Sequence, residues 1–414
     1  MIFPNHLIQS LILIIVSGYL VRFLGNKLRL PAALPLILLG VLLGPEGFDT
    51  ISKDYISLAP YLSKIAFVIL LIRTGIGLSK EMLKNFLPTA LFIGLIPLLI
   101  EGTAFVFLGK TWLFDKWIMA FLFSAIIMCE SPAIIFPTML KIRKNKLGTD
   151  KNIPDKMMIK TLANIIITQT LILLMIDIIL KTEGESVSFL PYYLFPLNIL
   201  LGITLGVTFG KIFPWRTLIN LRKKNGPFIA SIILVSFSSF LFFTLGHFKV
   251  ENILCIIFFT LFSGNFLKSE KPFIEKHLYK IWNLFEVFIF FNLGFHIKLS
   301  TFENVPTFFK IFIIILVAHL LRQLVLGFSL YKSEYTKKEA VYIGFAQFPK
   351  ATIQAVYGGL PLIIFSQLNM FHLFKEAELI LMGAVFSITI TAPLGAFFID
   401  KMASRLLKKE SYEN

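Results

Sequence analysis

Four ionisable residues lie within long apolar stretches of the sequence: Glu101, Glu130, Arg322 and Lys350. Charged side chains are costly in hydrocarbon, so those that occur there are candidates for function. Burial favours the uncharged forms of carboxyl and amino groups, which brings either group closer to exchanging protons at neutral pH. The residues therefore predict a buried site for ions or protons.

Two of these residues stand beside prolines. The segment "CESPAIIFP" places Pro132 and Pro137 just after Glu130, and "FPKATIQAVYGG" places Pro349 just before Lys350. A proline inside a helix removes a backbone hydrogen bond and clashes with the preceding turn. In a membrane such a break is tolerated where protein or a water-filled cavity covers it. We therefore predict helix breaks at these prolines, where a carboxylate and an ammonium can balance the half-helix ends or bind ions.

The elements that position these residues are predicted to be membrane-spanning helices. Of the 414 residues, 56% are hydrophobic and 15% are charged, against about a quarter charged in soluble domains. Apolar runs of about 20 residues recur throughout and predict an all-α polytopic membrane protein of about 13 transmembrane helices. The predicted spans are 7–24, 31–44, 57–78, 89–108, 117–140, 157–180, 190–213, 227–245, 252–267, 279–298, 308–330, 338–362 and 379–399.

The basic residues predict the orientation of the chain and argue against a nucleic-acid partner. The net charge of +16 comes from lysines and arginines in short loops rather than from one patch. The loops after odd-numbered spans are the richer ones, as in the segment 141–151 and in the tail after 400. Because such loops stay cytoplasmic, the N-terminus is predicted outside and the C-terminus inside.

Other classes of site have little support in the sequence. Cys129 and Cys255 both lie in apolar segments without metal-ligand spacing, so neither a disulfide nor a metal site is predicted. No phosphate-binding glycine-rich loop and no nucleophile–base constellation stands out. We therefore expect no cofactor and no enzymatic activity.

The two predicted breaks suggest an internal repeat. Spans 1–6 and 8–13 can form two inverted six-helix repeats joined by span 7, and each break then falls in the fifth helix of its half. Inverted repeats with broken helices near the middle of the membrane are the architecture of many secondary transporters. On this arrangement Glu101 and Arg322 occupy the fourth helices and are predicted to form a core ion pair. Such a pair can belong to the site, or it can simply hold the core together.

Several segments resemble a known family. "FPKATIQAVYGGLPL" followed by "SITITAPLGAFFIDKM", together with "SPAIIFP", "LLIRTGIGLS" and "LPAALPLILLGVLLGP", is similar to the NHA branch of the sodium/proton antiporters, within the cation/proton antiporter superfamily. The resemblance is collinear over nearly the whole chain. It implies a NhaA/NapA-like antiporter fold with two crossed broken helices, in one exchanger domain over residues 1–414.

The resemblance also implies an assembly and a mechanism. The protein is expected to be a homodimer, multi-pass in a cytoplasmic or plasma membrane. Each protomer has a dimerisation part (about 7–78 and 190–298) and a core part (about 89–180 and 308–399). The core is expected to move like an elevator and to expose its site to each side in turn.

One departure from the family concerns the ion site. The family carries an Asp-Asp or Asn-Asp pair on the helix after the first crossover, and here that pair aligns with Asn164 and Ile165, or in another register with Gln169 and Thr170. Asn164 can offer an oxygen to a cation but cannot take a proton near neutral pH. Without the aspartate, three outcomes are open: Lys350 is neutral, it meets an anionic substrate, or Glu130 has replaced the carboxylate. We favour the last.

The predicted function is exchange of Na⁺ or Li⁺ for H⁺ across a lipid bilayer. The expected ion or proton site comprises Glu130, Asn164 and Lys350, with Ser131 and Thr352 beside the breaks. Two alternatives remain at this stage. The chain can be a transporter of the same fold for another solute such as an anion, or a transport-dead regulatory paralogue.

Overall fold

The computed structural model describes residues 5–27, 32–189, 193–213, 215, 226–247, 251–267, 270–298, 305–331 and 333–409. Within these ranges all regular structure is helical, apart from one isolated bridge between Leu147 and Lys409. The first eight helices are α1 (Asn5–Lys27), α2 (Ala33–Leu43), α3 (Lys53–Gly77), α4 (Lys80–Trp112), α5 (Trp117–Ile127), α6 (Pro132–Lys144), α7 (Ile153–Thr182) and α8 (Phe195–Ile212). The others are α9 (Gly226–His247), α10 (Asn252–Phe266), α11 (Lys271–Phe295), α12 (Val305–Leu330), α13 (Lys337–Phe345), α14 (Thr352–Tyr357), α15 (Leu360–Gln367) and α16 (Phe374–Leu406).

Most of these helices are suited to a membrane. In the described part of the chain, ten helical stretches are long and apolar enough to cross one, with α5 and α6 counted as one stretch, and α2 and α10 are shorter apolar helices. The predicted twelfth span, 338–362, is divided among α13, α14 and the start of α15. The protein is thus an all-helical, multi-pass membrane protein, whereas the count of 13 spans and the inverted repeats stay predictions.

The structure interrupts the helices at two of the three predicted prolines, Pro132 and Pro349, but not at Pro137. α5 ends at Ile127 and α6 begins with Pro132 as its first residue, where a proline costs no hydrogen bond. Pro349 lies in the non-helical segment between α13 and α14. Pro137 was predicted to be a further break, and this was wrong: α6 continues through it to Lys144. The helix break lies before Pro132, and within α6 Pro137 removes only one backbone hydrogen bond.

The helices that carry the site pack around α4. This helix packs against α7, α12 and α5, while α16 contacts α5, α13 and α14. Elsewhere α3 and α2 pack on α11, and α8 packs on α10. The α8–α10 contact is close because Gly206 faces the carbonyl oxygen of Cys255, where a Cβ would collide. This agrees with the packing role that regularly spaced glycines predict in membrane helices.

Candidate functional site

The two interrupted helices meet at their breaks. The Ser131 N–H donates to the carbonyl oxygen of Pro349 at 2.7 Å. The hydroxyls of Ser131 and Thr352 lie 3.1 Å apart. The Lys350 N–H donates to Oγ1 of Thr391 on α16 at 2.8 Å. These backbone groups, which leave a helix inside the protein, are thus bonded to the opposite break or to α16, which is what an apolar environment requires.

Arg322 joins two buried carboxylates. Its Nη1 lies 2.5 Å from Oε2 of Glu101, and its Nη2 lies 2.8 Å from Oε2 of Glu130. Nη1 also donates to the carbonyl oxygen of Met128 at 3.1 Å, and Nη2 donates to Oε1 of Gln347 at 2.9 Å. All three charged side chains are fully buried. The structure therefore brings together the expected pair of Glu101 and Arg322 and attaches Glu130 to it.

Lys350 has a carboxylate partner, but not the expected one. Its Nζ lies 2.9 Å from Oε1 of Glu101 and donates to the carbonyl oxygen of Met128 at 2.9 Å. The same carboxylate oxygen lies 3.1 Å from Nδ1 of His319. The loss of the family's aspartate therefore does not leave Lys350 unpaired, because Glu101 serves both Lys350 and Arg322. This differs from the expectation that Glu130 takes the place of the missing carboxylate beside Lys350.

Glu130 pairs instead with Lys160, which the sequence candidates did not include. Lys160 Nζ lies 2.7 Å from Oε1 of Glu130, and both side chains are fully buried. A lysine near the start of an apolar span is expected to extend its ammonium to the interface. One signal was available: Lys160 is four residues before Asn164 and so lies on the same face of the helix.

Asn164 completes the surroundings of Glu130. Its Nδ2 lies 3.0 Å from Oε1 and 3.2 Å from Oε2 of that carboxylate, as a donor. Its own Oδ1 is buried and has no hydrogen-bond partner among the described residues. Thr168, one turn further along the same face of α7, is also fully buried. The Oδ1 atom of Asn164, which carries a partial negative charge, is thus available as a ligand near the Glu130 carboxylate.

Gly94 on α4 provides the space for this arrangement. A Cβ at this position would collide with Cγ of Lys160 and approach Oδ1 of Asn164 to 3.2 Å. With glycine there, the side chains from α7 can lie against the backbone of α4 and reach Glu130.

The charges around the crossing do not balance. With its carboxyl groups ionised the cluster has two negative charges, from Glu101 and Glu130, against three positive charges, from Arg322, Lys350 and Lys160. In a medium of low dielectric constant an excess charge is costly. Arg322 keeps its proton under all ordinary conditions. The balance is therefore reached when one lysine is neutral or when an anion is present.

A sequence comparison decides the family. The sequence model of the family described as "Sodium/hydrogen exchanger, transmembrane" matches residues 11–399. The chain belongs to this sodium/hydrogen exchanger family. The match confirms the resemblance drawn from its motifs and places the chain among the sodium/proton antiporters of the cation/proton antiporter superfamily.

Individual relatives of this chain are distant. It is 26% identical over 357 residues to human sodium/hydrogen exchanger 9B2, an alignment that covers 85% of this chain and 65% of the relative. It is 26% identical to human sodium/hydrogen exchanger 9B1, with 98% of this chain and 79% of the relative covered. The chain thus spans about two thirds of the length of the first relative.

The fold of this chain is also found in a solved structure. It superposes on the sodium proton antiporter MjNhaP1 from Methanocaldococcus jannaschii, determined at pH 8, with a TM-score of 0.73. The match covers 96% of this chain and 98% of that one at 21% sequence identity. The likeness at this identity establishes the fold.

In the second register considered for the missing aspartate, Gln169 and Thr170 have partners outside the charged cluster. Gln169 donates from Nε2 to Oδ1 of Asn252 on α10 at 3.1 Å and accepts from the hydroxyl of Tyr357 at 2.8 Å. Ile165 is fully buried and apolar. Of the two registers, only the one with Asn164 has a residue that reaches Glu130.

Proposed function

We propose that this exchanger is a secondary active antiporter that exchanges a monovalent cation, Na⁺ or Li⁺, for H⁺. The observation that carries the proposal is the buried Glu130, placed at the crossing between an ammonium group 2.7 Å away and the amide of Asn164. The names of its relatives as sodium/hydrogen exchangers support the same reading.

The geometry supports a particular exchange step. The cation takes the place of the Lys160 ammonium at Glu130 and is also coordinated by Oδ1 of Asn164, which otherwise has no partner among the described residues. Lys160 releases one proton to water and becomes neutral. Return of a proton to Lys160 restores the ion pair and expels the cation. Carboxylate and amide oxygens are suitable ligands for such a hard cation, while Arg322 keeps its two contacts throughout.

Movement of the site between the two sides is part of the proposal. On this scheme the core part (about 89–180 and 308–399) moves like an elevator against the dimerisation part (about 7–78 and 190–298) of a homodimer. The N-terminus lies outside and the C-terminus lies in the cytoplasm. The contact between Gln169 of α7 and Asn252 of α10 joins the two parts and would have to break during this movement.

The decisive test is Glu130→Gln in proteoliposomes. Proton release is followed by dequenching of a pH dye after pulses of Na⁺, Li⁺, K⁺ and Cl⁻. Because the variant cannot form a charged pair with either Lys160 or a cation, we expect Na⁺- and Li⁺-driven proton movement to fall at least tenfold. The control is Glu378→Gln, which removes a half-exposed pair with Lys298 far from the crossing in sequence and leaves exchange unchanged. Full activity of Glu130→Gln would contradict the proposal.

The excess of positive charge favours a second candidate, transport of an anion. An anion near Lys160 and Arg322 would balance the three cations against the two carboxylates. Proton movement after Cl⁻ pulses but not after Na⁺ or Li⁺ pulses would select this function. A response to none of the four ions would select the transport-dead paralogue.

A further inference from the structure

A second lysine lies between the site and the surface. Lys156, Lys160 and Asn164 follow one another at four-residue intervals in α7 and so share one face of that helix. Lys160 and Asn164 contact Glu130. Lys156 is one turn closer to the start of α7 and is 8% exposed. Its charge is therefore close enough to act on the site without touching it.

Lys156 is held by the loop that precedes α13. Its Nζ lies 2.5 Å from Oε1 of Glu334 and 3.1 Å from the hydroxyl of Tyr335. The Glu334 side chain is 51% exposed, so it contacts water as well as Lys156. The hydrogen bond from Lys156 lowers the pKa of the Glu334 carboxyl below its ordinary value, and this carboxyl is therefore ionised at neutral pH. The pair presents no net charge to α7.

We infer that the Glu334–Lys156 pair tunes proton exchange at Lys160 from the surface of the protein. The inference rests on the proposed function. Like charges four residues apart on a helix disfavour each other. Since a helix rises about 1.5 Å per residue, Lys156 is about 6 Å along the axis from Lys160 and about 12 Å from Asn164. An uncompensated ammonium at Lys156 would oppose protonation of Lys160, and Glu334 prevents this.

The other titratable and charged groups near Lys160 belong to the cluster described above or to closed pairs. Glu130 and the Cys129 thiol face it from the break, and Arg322 faces it from α12. α4 contributes Gly94 there, which has no charge. Around the start of α7 two further pairs are closed, Arg143 with Asp155 at 3.0 Å and Lys151 with Glu339 at 2.6 Å. Of these three pairs among the described residues, the Glu334–Lys156 pair is the one whose cation lies on the helix face that carries Lys160.

The experiment is a double-mutant cycle read through the pH profile of the KM for Na⁺. Protons compete with Na⁺, so KM rises as the pH falls. Glu334→Gln leaves Lys156 uncompensated, and we expect the rise in KM to begin about 0.5 pH unit lower. Lys156→Met leaves the Glu334 carboxylate instead, and we expect a shift to higher pH. The double variant should return close to the wild-type profile.

The matched control is Asp400→Asn, which removes the ion pair between Lys141 of α6 and Asp400 of α16. In this pair Nζ and Oδ1 lie 2.5 Å apart, and the Asp400 side chain is 47% exposed. It should leave the profile unchanged, as should Glu334→Asp, which keeps the charge. The Glu334 variants alone suffice if Lys156→Met does not fold. An unchanged profile in Glu334→Gln, or shifts of Glu334→Gln and Lys156→Met in the same direction, would overturn the inference. Absence of Na⁺-driven proton movement in the wild type would instead contradict the proposed function.

Discussion

At the scale of single residues, Arg322 is the centre of the buried cluster. It contacts both carboxylates, one from α4 and one from the first break, while each carboxylate has a lysine of its own. The two lysines therefore differ in their surroundings. Lys350 also donates to the backbone at Met128, whereas Glu130 is the nearest group that balances Lys160. This makes Lys160 the better candidate for the group that releases a proton.

Removal of the arginine should be costly for stability. Arg322→Gln removes the guanidinium that bonds both Glu101 and Glu130; the two lysines still balance the two carboxylates in charge, but each buried acceptor that loses its hydrogen bond costs about 1–3 kcal/mol. We expect a clear fall in the melting temperature of the purified protein in detergent. The comparison is Lys298→Gln, whose pair with Glu378 is partly exposed and should be worth about 1 kcal/mol or less. Equal melting temperatures for the two variants would show that the buried cluster is not a source of stability.

At the scale of elements, the site depends on how closely α4 and α7 approach. α7 carries Lys160 and Asn164, and α4 carries Glu101 and the glycine that makes room for them. The breaks between α5 and α6 and between α13 and α14 supply Glu130 and Lys350. These four segments and α12, which carries Arg322, must therefore converge before all of these charges have their partners.

Gly94→Ala tests this close approach. The added methyl group would collide with Cγ of Lys160, and overpacking of this kind costs about 1–3 kcal/mol and shifts neighbouring groups. We expect Na⁺-driven proton movement in proteoliposomes to fall at least tenfold. Gly327→Ala on α12 is the matched control, because nothing described lies within 4 Å of the added Cβ. A loss of activity that is equal in both variants would mean that the space at Gly94 is not what matters.

At the scale of the whole molecule, the orientation in the membrane follows from the distribution of basic residues. The loop after α2 includes Phe48, which is 72% exposed, and the basic tail includes Lys401, which is also exposed. Loops rich in lysine and arginine stay cytoplasmic. The two positions are therefore predicted to lie on opposite sides of the membrane.

Cysteine labelling checks this prediction without removal of the native cysteines, since Cys129 and Cys255 are free and buried. In intact cells an impermeant maleimide should label Phe48→Cys but not Lys401→Cys, and both should be labelled after the membrane is opened. The wild-type protein provides the background. Labelling of Lys401→Cys in intact cells would reverse the orientation.

The sequence by itself determined the class of the protein, its family and the position of its helix breaks. These properties depend on local features of the sequence: long apolar runs, the motifs around Pro132 and Pro349, and isolated charges within the runs. Each feature affects the segment in which it lies. Proline removes a backbone hydrogen bond and so favours a helix break in its neighbourhood, which is why two breaks could be predicted. Pro137 shows the limit, since one missing bond in a new helix does not end it.

The sequence predicted the pair of Glu101 and Arg322, but only the tertiary structure decided which carboxylates Lys160 and Lys350 meet. Lys160 is an ordinary interfacial lysine in the sequence, but the packing of α4 at Gly94 turns it inward to Glu130. Lys350 pairs with Glu101, whereas the expected carboxylate was Glu130. Ion pairs between segments 30 to 250 residues apart depend on distances of a few ångströms, because Coulomb attraction and hydrogen bonding act over that range. Such distances are set by the convergence of helices rather than by the spacing of residues along the chain.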